Sequence, residues 1–274
     1  MNPARKADVI IPWERHLGSI QECVESVLEY GGPAMRRLFV VADWACDLAT
    51  AAAIESLAAC DTRLQIVWSS AQNGFAGLCN HTLGLRAGDA VLLRGDCVVT
   101  RDWLLELAAV AHSHERTACA SPLDNAGGTC SVPEFLGVTR ADRLDDAMVR
   151  SACAGLPRWT VAPLLSASCV YMRGDVIDAV GLLDDRLSSP SAAVNNWVLR
   201  AQSLGFAAKR SNHAYVYRLG PCDAGRKPAD DLVANHSGEE DGGHATHQIA
   251  SFRKSLDGNL AAHAAQLEMT GKLR

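Results

Sequence analysis

The most constraining feature of this chain is a glycine turn and helix that lead into a buried strand, with one acidic residue beyond the strand. The turn and helix lie in NGFAGLCN, residues 73–80, and the strand lies in DAVLLRGDCVV, residues 89–99. Apolar residues at consecutive positions predict a strand that is buried on both faces. Asp96 follows this strand. Because open α/β sheets bind ligands beyond the carboxyl ends of their strands, Asp96 is the first candidate for a functional residue.

Short apolar runs alternate with helical patterns through the first 115 residues. The strands predicted there are residues 9–12, 38–41, 64–68 and 90–93, and the helices between them are residues 20–30, 50–59 and 76–85. Such alternation predicts parallel βαβ units with right-handed crossovers. We therefore expect an α/β fold, with a mostly parallel central sheet flanked by helices in a single domain.

The second part of the chain has a looser pattern. The elements predicted there are helices at residues 103–111, 141–153, 175–180 and 193–204, and strands at residues 118–122, 164–172 and 214–217. Residues 220–246 are polar and rich in glycine, which predicts a mobile loop. A closing helix is predicted for residues 247–274.

Composition and charge exclude several classes of protein. Of the 274 residues, 48% are hydrophobic and 21% are charged, which is ordinary for a globular protein and argues against disorder. The net charge of −5 gives no basic surface for DNA, RNA or an anionic membrane. Any phosphate group must therefore be bound by local cations against an acidic background.

The cysteine pattern and the apolar segments indicate a cytoplasmic location. The ten cysteines are scattered, and none forms a CxxC pair of the kind that binds zinc. The chain begins without a secretory signal, and no apolar segment is long enough to span a bilayer. A reducing compartment fits all of these features.

Seven short motifs, taken in order, resemble the family 2 glycosyltransferases, which have the GT-A fold. They are ADVIIP, FVVADW, NGFAGLCN, LLRGD, PLDNAG, AAVNNWVLRA and VYRLG. Each motif alone is weak, but their order and spacing together carry the resemblance. It implies that residues 1–115 are a nucleotide-sugar-binding half and that residues 116–219 are the acceptor-side half of the same domain.

The resemblance assigns five residues to the donor nucleotide. Ile11 and Pro12 match the strand end that contacts the base, and Asp43 matches an acid that holds the uracil or the ribose. Asn73 and Gly74 match the turn before the next helix. Structural interpretations stand beside these assignments, because an Asp after a strand is a common turn residue and Gly74 supplies a backbone conformation that other residues resist.

The metal motif of the family is occupied here by Arg94, Gly95 and Asp96. The Asp96 carboxylate is a candidate ligand for Mg²⁺ or Mn²⁺, which both prefer oxygen. Arg94 has two interpretations. Its guanidinium either forms a simple salt bridge with Asp96 or replaces the metal in neutralising a pyrophosphate.

Two further positions depart from the family, and both bear on catalysis. Asn196 stands where the catalytic Asp is expected, and an amide cannot take a proton from an acceptor hydroxyl. Arg218 replaces a histidine that helps to hold the metal, and arginine is only a donor. Together, Arg218 and Arg94 suggest metal-independent binding of an anion, in which one arginine pairs with Asp96 and the other stays available for phosphate.

Asp124 is either a relocated base or a turn residue.

The resemblance implies a cytoplasmic glycosyltransferase that inverts the anomeric carbon. Its donor would be a UDP- or dTDP-sugar, and its acceptor a small molecule or a glycan in the synthesis of a polysaccharide, glycoconjugate or natural product. A second hypothesis is a domain of the same fold that has lost catalysis and serves as a nucleotide-binding or scaffolding subunit. A third is a nucleotidyltransferase, although IPWERHLGS lacks the basic glycine-rich signature of that class.

Overall fold

A computed structural model describes most of the chain as far as Leu219. The described residues are 5–13, 20–43, 48–69, 74–125, 130, 153, 155–187 and 189–219. Within them the protein forms a nine-stranded sheet and six α-helices. The strands are β1 (Ala7–Trp13), β2 (Met35–Asp43), β3 (Leu64–Ser69), β4 (Asp89–Leu93), β5 (Cys97–Val99), β6 (Thr117–Leu123), β7 (Trp159–Val161), β8 (Cys169–Met172) and β9 (Ala207–Arg218). The helices are α1 (Ile20–Tyr30), α2 (Leu48–Cys60), α3 (Gly74–Leu83), α4 (Trp103–Ala111), α5 (Gly174–Val180) and α6 (Pro190–Ser203).

The sheet runs in the order β3-β2-β1-β4-β8-β6-β9-β5, and β7 pairs with β9. Strands β1 to β4 are parallel to one another, as are β6 and β9. Strand β8 is antiparallel to both β4 and β6, and β5 and β7 are antiparallel to β9. The predicted α/β fold, with a mostly parallel central sheet flanked by helices in one domain, is confirmed. The C-terminal ends of β1 to β4 therefore share one edge of the sheet.

Apolar side chains fill both faces of the sheet. Val9 and Ile11 of β1 belong to one buried cluster, which includes residues of α1, α2 and α4. Ile10, between them, belongs to a second cluster with residues of α3 and α6. Because successive side chains of a strand point to opposite faces, a strand with helices on both sides must be apolar at every position. This is why the consecutive apolar runs in the sequence predicted the strands correctly.

Some element boundaries differ from the predictions. The strand predicted at residues 164–172 covers only Cys169–Met172, because the preceding segment leaves the sheet and bonds to a side chain of α6. Strand β9 is twelve residues long and starts at Ala207, well before the predicted start at residue 214. Its polar first half did not look like a buried strand. The short strands β5 and β7 were not predicted.

Several predictions fall outside the described residues. They concern the mobile loop at residues 220–246, the closing helix at residues 247–274 and, apart from Cys153, the helix at residues 141–153.

The N-terminal edge of the sheet is held by a buried carboxylate, Asp89, the first residue of β4. Its Oδ2 accepts hydrogen bonds from the Tyr171 hydroxyl and from His112 Nε2, both at 2.7 Å. Its Oδ1 accepts the backbone N–H of Gly174 at 2.8 Å. Only glycine fits at position 174, because an added Cβ would lie 2.5 Å from the carbonyl oxygen of Gly88. Asp89 therefore ties β4, β8 and the ends of α4 and α5 together.

We predict that Asp89 stabilises the fold most at neutral pH. Burial alone would raise its pKa, but the hydrogen bonds from His112, Gly174 and Tyr171 outweigh burial and lower the pKa to about 2. A lowered pKa gives stability that is present above the unfolded value of about 3.9 and is lost as the pH falls through about 2.

Asp89→Asn should accordingly lower the free energy of unfolding by about 2 kcal/mol at pH 7. The difference from wild type should shrink below about pH 4. Tyr171→Phe, which removes one of the three hydrogen bonds, should have a smaller effect. Urea unfolding at several pH values measures both variants, and a difference that does not change with pH would contradict the assignment.

Candidate functional site

The candidate site lies at the C-terminal edge of the parallel strands. The segment from Arg94 to Asp96 follows the end of β4 directly and leads into β5. Strand β5 is antiparallel to β9, with Cys97 opposite Arg218. This register brings the last residue of β9 beside Asp96, although the two are far apart in sequence.

Two arginines hold the Asp96 carboxylate, and we call these three residues the arginine cluster. Arg94 bonds both oxygens, with Nε at 3.0 Å from Oδ1 and a terminal nitrogen at 3.1 Å from Oδ2. Arg218 Nε is 2.9 Å from Oδ2. The side chains of Arg94, Asp96 and Arg218 are 13%, 2% and 11% exposed. The expectation that only one arginine would pair with Asp96 is therefore wrong.

The arginine cluster carries a net positive charge. Burial alone would raise the pKa of Asp96, but the hydrogen bonds and charges of Arg94 and Arg218 outweigh burial and lower it. Asp96 is therefore ionised at neutral pH, and two guanidinium charges face one carboxylate. The cluster thus supplies local positive charge on a chain whose net charge is −5.

The described residues of this site do not fit a divalent cation. Both oxygens of Asp96 already accept hydrogen bonds from guanidinium groups, and arginine offers no lone pair to a metal. Among the described parts of the chain, no group of three or more His, Cys, Asp and Glu side chains is arranged to hold a metal ion. Asp96, predicted as a metal ligand, is here the counter-ion of two arginines.

The backbone around the arginine cluster is fixed by side chains and loops. Asn125 clamps Arg218: its Oδ1 accepts the Arg218 N–H at 2.7 Å and its Nδ2 donates to the Arg218 carbonyl at 3.0 Å. On the other side, the carbonyl of Ser168 accepts the Arg94 N–H at 3.0 Å and lies 3.6 Å from Cys97 Sγ. These contacts fix the backbone positions of both arginines.

Asp124 directly follows β6 and precedes Asn125. It is 1% exposed, and its N–H donates to the carbonyl of Cys130 at 2.8 Å. One carboxylate oxygen accepts a short hydrogen bond from the Ser166 hydroxyl. Asp124 is therefore a buried carboxylate, one residue before the side chain that clamps Arg218, and more than a residue of an exposed turn.

The two asparagines of α6 have different roles. Asn196 Oδ1 accepts a hydrogen bond of 3.0 Å from Nε of Arg200, and Arg200 in turn donates to the carbonyl of Val180. Asn195 is buried and clamps Leu165, accepting its N–H at 2.8 Å and donating to its carbonyl at 3.1 Å. The described contacts of Asn196 thus lie at the junction of α5 and α6, whereas Asn195 faces the loop that carries Ser166.

The predicted donor-binding residues lie on neighbouring strands of this edge. Ile11 and Pro12, near the end of β1, are buried. Asp43 is the last residue of β2, beside them in the sheet. Gly74 begins α3 with φ at +59°, a conformation that favours glycine. Asn73 lies outside the described residues, so its predicted role stays a prediction.

Sequence reasoning missed three residues of this site: Asn125, Ser166 and Asn195. Asn125 and Asn195 are common polar residues next to Asp124 and Asn196, which were noticed, and Ser166 lies in a segment that was predicted only as a strand. Nothing in the local sequence reveals that Asn125 and Asn195 clamp backbone segments from distant elements. What marks Asn125 and Asn195 is a pair of hydrogen bonds from each side chain to one backbone residue, and these bonds exist only in the folded chain.

Comparison with known proteins defines the fold but not a family. No model of a known protein family matches the chain, and no curated protein matches it in sequence.

Solved structures of glycosyltransferases share the fold. The structure of GalNAc-T7 with UDP, GalNAc and Mn²⁺ matches with a TM-score of 0.64 at 12% identity, over 86% of this chain and 48% of that chain. The mannosyltransferase PcManGT from Pyrobaculum calidifontis, in complex with GDP-Man and Mn²⁺, matches with a TM-score of 0.62 at 18% identity, over 97% and 79% of the two chains. TarS of S. aureus, residues 1–349, matches with a TM-score of 0.55 at 16% identity, over 90% and 70%. The chain thus has the GT-A fold, and it spans about half of the length of the GalNAc-T7 chain that it matches.

None of the described helices has the length and apolar character that crossing a membrane demands.

We predict that Asp96 holds the site together as a counter-ion. Asp96→Asn leaves two buried guanidinium groups without their shared carboxylate, and breaking a buried ion pair from one side costs about 3 kcal/mol or more. The matched control is Asp178→Asn, since Asp178 also pairs with an arginine but its side chain is 75% exposed. The control should lose less than about 1 kcal/mol. Urea unfolding measures both, and equal losses would contradict this role.

Proposed function

We propose that this protein is a glycosyltransferase that uses a nucleotide-sugar donor. The observation that carries the proposal is the arginine cluster, a buried cationic site at the edge of the sheet where α/β folds bind ligands. A nucleoside diphosphate has the negative charge that such a site attracts. The fold supports this choice, because GalNAc-T7 and PcManGT share it and bind UDP and GDP-Man.

The donor would lie across the ends of β1 and β2, with its diphosphate at the arginine cluster. In this arrangement Asp43 holds the uracil or the ribose, and the turn at Asn73 and Gly74 borders the nucleotide. Ile11 and Pro12 are buried near the end of β1, so they would form the apolar floor beneath the nucleotide. We propose a UDP- or dTDP-sugar as the donor, on the resemblance of these motifs to family 2 glycosyltransferases.

The two arginines would replace a metal ion in neutralising the leaving group. Both guanidinium groups are planar forks of N–H donors, a geometry that suits phosphate oxygens as well as the carboxylate of Asp96. Because the arginines stay charged at any physiological pH, this positive charge is permanent. Binding of the donor would therefore be independent of Mg²⁺ and Mn²⁺.

The reaction would be a single displacement with inversion at the anomeric carbon. The acceptor oxygen forms the new bond while the bond between the anomeric carbon and the diphosphate breaks, and the electron pair leaves with the nucleoside diphosphate. Arg94 and Arg218 stabilise the charge that develops on the leaving group. The acceptor, a small molecule or a glycan, must also lose a proton. Of the two predicted candidates only Asp124 has a carboxylate, and we assign proton removal to it.

The described cysteines support a cytoplasmic location as part of the proposal. They carry free thiols, and Cys60 is exposed. A reducing compartment keeps exposed thiols in this state.

A second function, nucleotide binding without catalysis, is favoured by one observation. The position of α6 that would carry the catalytic Asp holds Asn196, whose amide is bonded to Arg200. A scaffolding subunit would bind nucleoside diphosphates but turn over no donor. Hydrolysis of UDP- and dTDP-sugars by the wild-type protein separates the two functions.

We predict that UDP or dTDP binds to the wild-type protein in the presence of EDTA. Arg94→Ala and Arg218→Ala should weaken this binding roughly 10- to 100-fold, as expected for the loss of charge-assisted hydrogen bonds to phosphate. Isothermal titration calorimetry gives the dissociation constants.

Arg186→Ala is the matched control for the two arginine variants, since Arg186 pairs with Asp184 but its side chain is 86% exposed. Its affinity should equal that of wild type. Thermal unfolding of each variant confirms that it is folded at the temperature of the titration. Wild-type affinity that requires manganese would contradict the proposal.

A further inference from the structure

The carboxylate assigned to proton removal is shielded from any acceptor. Asp124 is 1% exposed, so an acceptor hydroxyl has no direct path to its oxygens. Ser166 is partly exposed, and its hydroxyl is bonded to Asp124 Oδ2. We propose that Ser166 touches the acceptor and relays its proton to Asp124, an inference that rests on the proposed transferase function.

Hydrogen-bond chemistry fixes the direction of this relay. An ionised carboxylate only accepts, so the single Ser166 hydroxyl proton points to Asp124. The neighbouring contacts of Ser166 Oγ must then be accepted by it: the Ser168 hydroxyl at 3.0 Å and the Ser168 N–H at 3.3 Å. In the proposed complex the acceptor hydroxyl replaces the buried Ser168 hydroxyl as a donor to Ser166 Oγ. The acceptor proton would then face Ser166 with the carboxylate behind it.

Ser166 is held in place from both sides of the chain, through its own N–H and through the residue before it. Asn195 bonds both the N–H and the carbonyl of Leu165, the residue before it. The N–H of Ser166 donates to Cys130 Sγ at 3.4 Å. A proton relay needs such fixed geometry, because transfer is efficient only within hydrogen-bond reach.

The pair of Asp124 and Ser166 also lies next to the groups that would hold the leaving group. Asn125, which follows Asp124, clamps the backbone of Arg218. Ser168, two residues after Ser166, accepts the N–H of Arg94 through its carbonyl. The segments that carry Asp124 and Ser166 therefore also hold the backbone of the two arginines.

The proposed step is balanced in protons and electrons. The acceptor oxygen bonds to the anomeric carbon, and the bond to the diphosphate oxygen breaks with its electron pair on the leaving group. The acceptor proton moves to Ser166 Oγ as the Ser166 proton moves to Asp124 Oδ2. Asp124 ends protonated and returns the proton to solvent by the same route.

The test uses hydrolysis of UDP-glucose, UDP-N-acetylglucosamine and dTDP-glucose, in which water serves as the acceptor. Ser166→Ala and Asp124→Asn should each lower kcat on the order of 100-fold while the affinity for the donor stays close to that of wild type. The acid limb of the kcat profile against pH should disappear in both variants, which a merely structural role would not cause. Ser203→Ala is the matched control, because Ser203 is exposed and its hydroxyl bonds only the carbonyl of Arg200.

Each outcome bears on the relay in a defined way. Loss of kcat and of the acid limb, with the control unchanged, supports it. If the wild type hydrolyses a donor and Ser166→Ala retains its kcat and pH profile, the relay is wrong while the transferase function stands. If the wild type binds the donors but hydrolyses none of them, the transferase function fails and the relay fails with it. Ser166→Ala decides alone if Asp124→Asn does not fold, since Ser166 is partly exposed.

Discussion

The ion pairs of Asp96 with Arg94 and Arg218 link the end of β4 to the end of β9, which the pairing of β5 with β9 brings side by side. Asp96 follows β4 in the parallel half of the sheet, and Arg218 ends β9 in the other half. Their contact closes the edge at which the candidate ligand site lies. Because the carboxylate is almost wholly buried, its negative charge is compensated there by the two guanidinium groups. The proposed function at this edge therefore depends on the same buried ion pairs.

The ion pairs of Asp96 also determine whether a phosphate at this edge would be bound through a metal ion or directly by arginine. A divalent cation would need the oxygens of Asp96, but these are already engaged by nitrogen donors. The resulting site presents fixed organic cations, which bind phosphate by directed hydrogen bonds and stay charged without a metal supply. Asp124 and Ser166 lie on segments that also contact the arginines, and we propose that this pair accepts the proton while the arginines neutralise the leaving group. The structures of GalNAc-T7 and PcManGT contain Mn²⁺ and share the fold. The described residues of this chain instead present arginine N–H groups at this edge.

The sequence predicted the fold well because its signals are local. Continuous apolar runs such as Ala90 to Leu93 mark strands buried on both faces, and their alternation with helical patterns specifies parallel pairing. The pairing of β5 with β9 was not predictable, because it joins two segments that are distant in sequence. The candidate site was predicted in part for the same reason. Asp96 and Gly74 stand in recognisable motifs, whereas Ser166 and Asn195 acquire their roles only through contacts between distant elements.

A crystal structure of the protein grown with UDP and Mn²⁺, with anomalous data for manganese, shows whether the arginines or a metal ion contact the diphosphate. We expect the diphosphate to lie within hydrogen-bond distance of the Arg94 and Arg218 guanidinium groups, with Asp96 still bonded to them and no anomalous peak at its oxygens. A manganese ion bound to Asp96, with either arginine displaced from the carboxylate, would contradict it.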